Sequence, residues 1–128
     1  MPDKGIIKLH GREYKTVALR VSEFRALHPI SDGWRVVTHP HAIGDEAVIF
    51  RASIVCPDGR EVAVGWAEER RESRGVNSTS ALENCETSAI GRALAAAGFG
   101  GSEYASADEL TRALRQQSEP LKVQQSSK

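Results

Sequence analysis

Between Ala47 and Arg70 the sequence reads as two runs of alternating residues hinged on Pro57-Asp58-Gly59. Proline presets φ at the first corner of a turn and glycine accepts a positive φ, so these three residues fold the chain back on itself. An antiparallel hairpin over Ala47 to Cys56 and Glu61 to Arg70 is therefore the strongest constraint on the fold. Alternation places Val48, Phe50, Ala52, Ile54 and Cys56 on one face of the first arm, and Arg51 and Ser53 on the other. Val62, Val64 and Trp66 alternate in the same way on the second arm. A sheet with one packed face and one partly wet face follows. The segment Trp34-Arg35-Val36-Val37-Thr38 supplies a third strand.

Helical spacing brackets this sheet. Val17, Val21, Phe24 and Leu27 recur on one helical stripe and Pro29 bars continuation beyond His28, which predicts a short amphipathic helix with Arg20 and Arg25 on its solvated side. Ser80 and Glu83 have capping-box spacing and open a main helix from Ala81 to Ala97, with the stripe Leu82, Cys85, Ala89, Ala93 and Ala96 and a stop at Gly98. Gly91 within it costs about 1 kcal/mol of helix propensity relative to Ala. Such a cost points to close packing or a contacting ligand. A second capping box, Ser106 with Glu109, opens a short terminal helix carrying Leu110, Ala113 and Leu114. Residues 4–14, with Ile6-Ile7-Lys8-Leu9, read as either a brief strand or a mobile arm. The expected fold class is α+β: a small antiparallel, hairpin-centred sheet packed by one main α-helix, with short N- and C-terminal helices. Residues 1–115 form a single domain on this reading, and the Gln-, Ser- and Lys-rich residues 116–128 form a disordered polar tail.

A length of 128 residues suits one core. Seventeen Lys plus Arg oppose seventeen Asp plus Glu, so no global field draws the chain to polyanions, and a nucleic-acid contact has to be a local patch. The cysteines, Cys56 and Cys85, lack the spacing of a disulfide framework or a thiolate zinc site and fit a reducing cytoplasm. Cys85, on the apolar stripe, reads as a small core residue. No stretch approaches the ~18 apolar residues of a membrane span, and no apolar segment follows Met1-Pro2-Asp3-Lys4, so neither membrane insertion nor secretion is expected. Catalysis needs a nucleophile with its base, or carboxylates that share a pocket. Glu68 and Glu69 are neighbours on a strand and face opposite ways. His39 and His41 flank Pro40 as a loop-borne pair without an acidic or thiolate partner at ligand spacing. No enzyme activity, metal or cofactor is expected.

One constellation stands out. Arg70, Arg71 and Arg74 run into Asn77, Ser78, Thr79 and Ser80 just ahead of the main helix, joining guanidinium groups to hydroxyl and amide donors. Arginine forks and the outward N–H groups of a helix start suit phosphate. Arg92 sits about three turns further along, on the polar face. The other reading of the same residues is a solvated strand end balanced by Glu68, Glu69 and Glu72.

The stretch from Val76 to Leu94, with Asn84-Cys85-Glu86-Thr87-Ser88-Ala89-Ile90-Gly91-Arg92-Ala93-Leu94 inside it, followed by Gly98 and by Ala105-Ser106-Ala107-Asp108-Glu109, resembles phage single-stranded-DNA-binding recombination proteins. Phe24-Arg25 near His28-Pro29, and Phe50-Arg51-Ala52 leading to Gly65, resemble the same group, so the likeness runs over about residues 14–110. A hairpin sheet followed by a helix bearing Arg92-Ala93-Leu94 is more distantly similar to the strand-annealing superfamily of Erf and the Rad-fifty-two-like eukaryotic recombination mediator. Where the eukaryotic members place basic residues beside and beyond the matching arginine, this chain has Gly91 and Ala95, so only Arg92 carries over. The resemblance implies a non-enzymatic protein that binds single-stranded DNA, and in some relatives anneals strands, in phage recombination or replication. It implies self-association into a ring or filament and contact with recombination or replication proteins. The residue constellation and the resemblance meet at the strand end, the polar loop and the start of the main helix, and together they give a candidate nucleic-acid-binding site of Arg51, Arg70, Arg71, Arg74, Asn77, Ser78, Thr79 and Arg92. Zero net charge leaves a second class open: a protein-interaction module, either a recombination accessory or an inhibitor of a host protein, that binds no DNA.

Overall fold

The computed structural model describes residues 4–71 and 77–115, the side chains of 77–79 excepted. The expectations for Arg74, for the rest of 72–76 and for the 116–128 tail lie outside these residues. The elements run β1 (Ile6–Leu9), β2 (Arg12–Lys15), α1 (Val17–Leu27), a 3-10 turn (Ile30–Asp32), β3 (Arg35–Ile43), β4 (Ala47–Val55), β5 (Glu61–Arg70), α2 (Asn77–Leu94), a π-helical turn (Ala95–Phe99) and α3 (residues 107–115). This is an α+β fold with two antiparallel sheets, β1-β2 and β3-β4-β5.

The hairpin at Pro57-Asp58-Gly59 forms as expected. Gly59 has φ +90° and its N–H donates to the Cys56 carbonyl at 2.8 Å. Val48, Phe50, Ala52 and Ile54 of β4 are buried against α2. On β5 the helix side is taken by Ala63, Gly65 and Ala67, which pair with Ile54, Ala52 and Phe50. A Cβ on Gly65 would lie 2.3 Å from the Ala93 nitrogen and 2.6 Å from the Ala89 carbonyl oxygen. The backbone of α2 thus rests directly on β5, and the buried stripe of the helix is Ala81, Cys85, Ala89 and Ala93. The larger residues of β5 face away: Val62 and Trp66 are each 48 % exposed.

Several expectations are corrected. The segment 4–14 is a strand hairpin, turned by His10 (φ 53°) and Gly11 (φ 76°), the two positive φ values of a tight hairpin turn. β3 continues past Thr38 to Ile43 because His39 and Pro40 pair with Arg51 and Phe50, and the register slips between Pro40 and Ala42. His39 and His41 are therefore borne on a strand and its bulge and not on a loop. α2 begins at Asn77, which puts Ser80 and Glu83 inside the helix instead of at its cap, and it ends in a π-turn from Ala95. Leu82 and Ala96, expected on the buried stripe, are exposed. The second capping box does form, with Glu109 N–H donating to Ser106 Oγ at 3.2 Å and Ser106 N–H to Glu109 Oε1 at 3.1 Å.

The largest correction concerns α1. Arg20, expected in solvent, has no exposed surface, whereas Leu27 is 65 % exposed. The Arg20 guanidinium donates to the carbonyls of Gly91 (2.7 Å), Tyr104 (2.9 Å), Ala105 (3.0 Å), Glu103 (3.1 Å) and Gly100 (3.5 Å). It clasps the last turn of α2, at Gly91, together with the segment between α2 and α3, where it supplies donors to four carbonyls of the irregular stretch from Gly100 to Ala105. At the other end Thr16 caps α1 through its side chain, and Asp108 accepts from the Val17 N–H at 2.7 Å. Gly91 permits this arrangement: a Cβ there would lie 2.8 Å from Val17 Cγ2. Of the two causes expected for that glycine, close packing is the one seen.

Candidate functional site

The residues singled out in the sequence fall in three places. Where β5 ends, Arg70 is exposed and makes no ion pair among the described residues. Arg71 follows with its N–H on the Glu46 carbonyl (2.7 Å) and its Nε on the Gly44 carbonyl (2.8 Å). Carbonyl partners hold this guanidinium in position without neutralising its charge. Asn77, Ser78 and Thr79 form the first turn of α2, of which the backbone alone is described. Strand end and helix start are thus neighbours in the chain, as the sequence implies.

Arg51 lies elsewhere, on the face of the three-stranded sheet opposite α2. Register puts His39, Arg51 and Trp66 in one row across β3, β4 and β5. The Arg51 guanidinium lies over the Trp66 ring, 6.0 Å from its centroid, and is paired with Glu61. That hydrogen bond is the main cause holding the Glu61 carboxyl below its usual pKa. The His41 ring meets Trp66 edge to face at 5.3 Å, an arrangement the bulge after Pro40 permits. Alternation along β5 sets Arg70 on this same outer face, two side-chain steps beyond Trp66, with Glu68 between them.

Arg92 joins neither group. Its guanidinium is turned to Glu109 of α3 at 2.8 Å, part of a layer in which Arg112 meets Ser88 at 2.7 Å and Glu69 at 3.7 Å. Sequence reasoning missed Trp66, His39 and His41 as members of one surface. The signal was present in β5, where Ala63, Gly65 and Ala67 alternate with Val62, Val64 and Trp66: the small set matches the small stripe of the helix, which leaves the bulky set outward. Among the described residues no group of three or more His, Cys, Asp or Glu is placed to hold a metal ion. No helix among them is long and apolar enough to cross a membrane.

Chemically, the outer face and the end of β5 offer guanidinium groups for oxyanions and one accessible indole for a flat ring. A family model described as Slr1353 N-terminal dsRNA-binding domain-like matches residues 22–97, from within α1 through β3, β4, β5 and α2. No curated protein and no solved structure matches the chain.

Proposed function

Because the chain belongs to the Slr1353 N-terminal dsRNA-binding domain-like family, we propose that it is a non-enzymatic nucleic-acid-binding domain, and that its preferred ligand is single-stranded DNA. The family supports the coarse reading. The likeness of the α2 sequence to phage recombination proteins supports the finer one, with strand annealing and self-association as its corollaries. The observation that carries it is the pair Arg70 and Arg71 at the end of β5, two guanidinium groups free of carboxylate partners among the described residues. With zero net charge over the chain, such a local cationic edge is what a phosphate backbone can use.

Duplex RNA is the second reading, favoured by the family's description and by recognition through helix shape, which needs no unstacked base. Fluorescence anisotropy with labelled single-stranded DNA, duplex DNA and duplex RNA at equal low salt separates the two. Tightest binding of the single strand is expected, weakening as salt rises. Tightest binding of duplex RNA would replace the first reading by the second, and failure to bind any of the three would leave a protein-interaction module. Size exclusion with light scattering, with and without a long single strand, tests self-association.

A further inference from the structure

We propose that the outer face of the β3-β4-β5 sheet is a base-stacking platform for single-stranded nucleic acid, centred on Trp66 and separate from the phosphate-binding edge; this rests on the single-strand reading above. Trp66 keeps 48 % of its surface exposed although it stands in the middle of a ten-residue strand. It fills no core, and its contacts with Arg51 and His41 leave about half of the indole open to a ligand.

Its surroundings select the occupant. The Arg51 guanidinium and the His41 ring already contact the indole, and His39 lies next to Arg51 in the same row. Planar cationic and aromatic groups gathered around an exposed indole are the set that stacks on heterocyclic bases, which each offer a π-face whatever their sequence. Charge agrees: Arg35, Arg51 and Arg70 outnumber Glu61 and Glu68 on this face, and Arg51 already engages Glu61. Arg70 stands four residues beyond Trp66, about 13 Å along the strand. A strand whose base lies on the indole can therefore place a phosphate near Arg70. A protein partner fits less well, because the apolar surface here is a single stripe along β5, Val62, Val64 and Trp66, flanked by Arg51 and His39 in the Trp66 row and ended by Glu68. A duplex fits less well still, since its bases are already stacked on one another.

The test uses the full chain with three probes of equal length: oligo(dT), oligo(U) and an abasic deoxyribose-phosphate strand. In a Trp34→Phe background, where Trp66 is the sole indole, both base-bearing probes should quench fluorescence on binding and the abasic strand should not. Trp66→Ala should weaken oligo(dT) binding roughly 10- to 100-fold while changing abasic-strand binding little, and Trp66→Phe should recover most of the loss. Preferential binding of oligo(U) over oligo(dT) would keep the platform, provided both quench, and overturn the preference for DNA proposed above. Unquenched fluorescence with tight oligo(dT) binding, or equal weakening of oligo(dT) and abasic binding by Trp66→Ala, overturns the platform and leaves the single-strand reading standing. Failure of the parent chain to bind either base-bearing probe overturns both.

Discussion

The guanidinium of Arg20 donates to the Gly91 carbonyl at 2.7 Å from a side chain with no exposed surface, and so ties α1 to α2 from inside the protein. Burial pushes the Arg20 pKa below its usual value, with Glu109 and Asp108 opposing the shift through their charge. The same fork reaches four carbonyls between Gly100 and Ala105, a geometry that three donors on one ammonium nitrogen cannot reproduce. Each carbonyl left buried without a donor costs about 1–3 kcal/mol. Arg20→Lys is therefore expected to destabilise the protein by at least about 2 kcal/mol, lowering the thermal midpoint by roughly 10 °C. A shift within a degree or two in scanning calorimetry would show that water already serves these carbonyls.

Gly65 sets the distance between β5 and α2. A methyl group there meets backbone atoms of Ala89, Arg92 and Ala93, which no rotamer change can move aside. Gly65→Ala should cost about 3 kcal/mol or more, at the upper end of the usual penalty for overpacking. Gly59→Ala is a useful contrast. It has open space around it but a φ of +90°, so it should cost only the backbone strain, about 1 kcal/mol. Urea denaturation of the two variants should place them in that order.

These two positions also show what could be read beforehand. Gly59 declares itself, because turn chemistry is local and the Pro57-Asp58-Gly59 signal needs no knowledge of the rest of the chain. Gly65 makes sense only once the small stripe of α2 is laid against the small side of β5, a match between segments about twenty-five residues apart. Arg20 was out of reach. Its apolar neighbours at helical spacing suggest a solvated charge, and the carbonyls that bury it belong to a segment about eighty residues later whose irregular path no pattern predicts. The spacing of Ser80 and Glu83 imitates a cap, yet the helix extends three residues upstream to Asn77. The candidate site divides the same way: Arg70 and Arg71 were legible as a charged run, whereas the grouping of His39, His41, Arg51 and Trp66 depends on strand register and one bulge.

Cys85 gives a pH-dependent expectation. The thiol is fully buried, with Sγ 3.2 Å from the Val48 carbonyl and 3.3 Å from that of Ala67, and burial pushes its pKa up. With the folded value raised, the unfolded chain loses the proton first as pH climbs. The contribution of Cys85 to stability is therefore complete below the ordinary thiol range and erodes above about pH 8.5. Cys85→Ser keeps a donor for the same carbonyls and removes the titration in this range. The thermal midpoint of the parent chain should fall more steeply than that of Cys85→Ser between about pH 8.5 and pH 10. Parallel slopes would mean that the thiol titrates alike in both states.

Arg70 and Arg71 look interchangeable in the sequence and should separate in experiment. Arg71 holds the Gly44 carbonyl with its Nε, so its removal loosens the β3-β4 connection as well as subtracting a charge. Arg70 is exposed and makes no ion pair among the described residues, so Arg70→Ala subtracts charge alone and should leave the thermal midpoint within about 1 °C. If Arg70 meets a phosphate, its loss should lower the slope of log affinity against log salt on single strands by roughly 0.7, the counterion release of one contact. Affinity at low salt should fall roughly three- to tenfold for oligo(dT) and the abasic strand alike, because a phosphate contact is indifferent to bases. Trp66→Ala should do the reverse, sparing the salt slope while weakening oligo(dT) and leaving the abasic strand nearly unchanged. An unchanged slope in Arg70→Ala would remove the end of β5 from the interface and require the backbone to be gripped elsewhere.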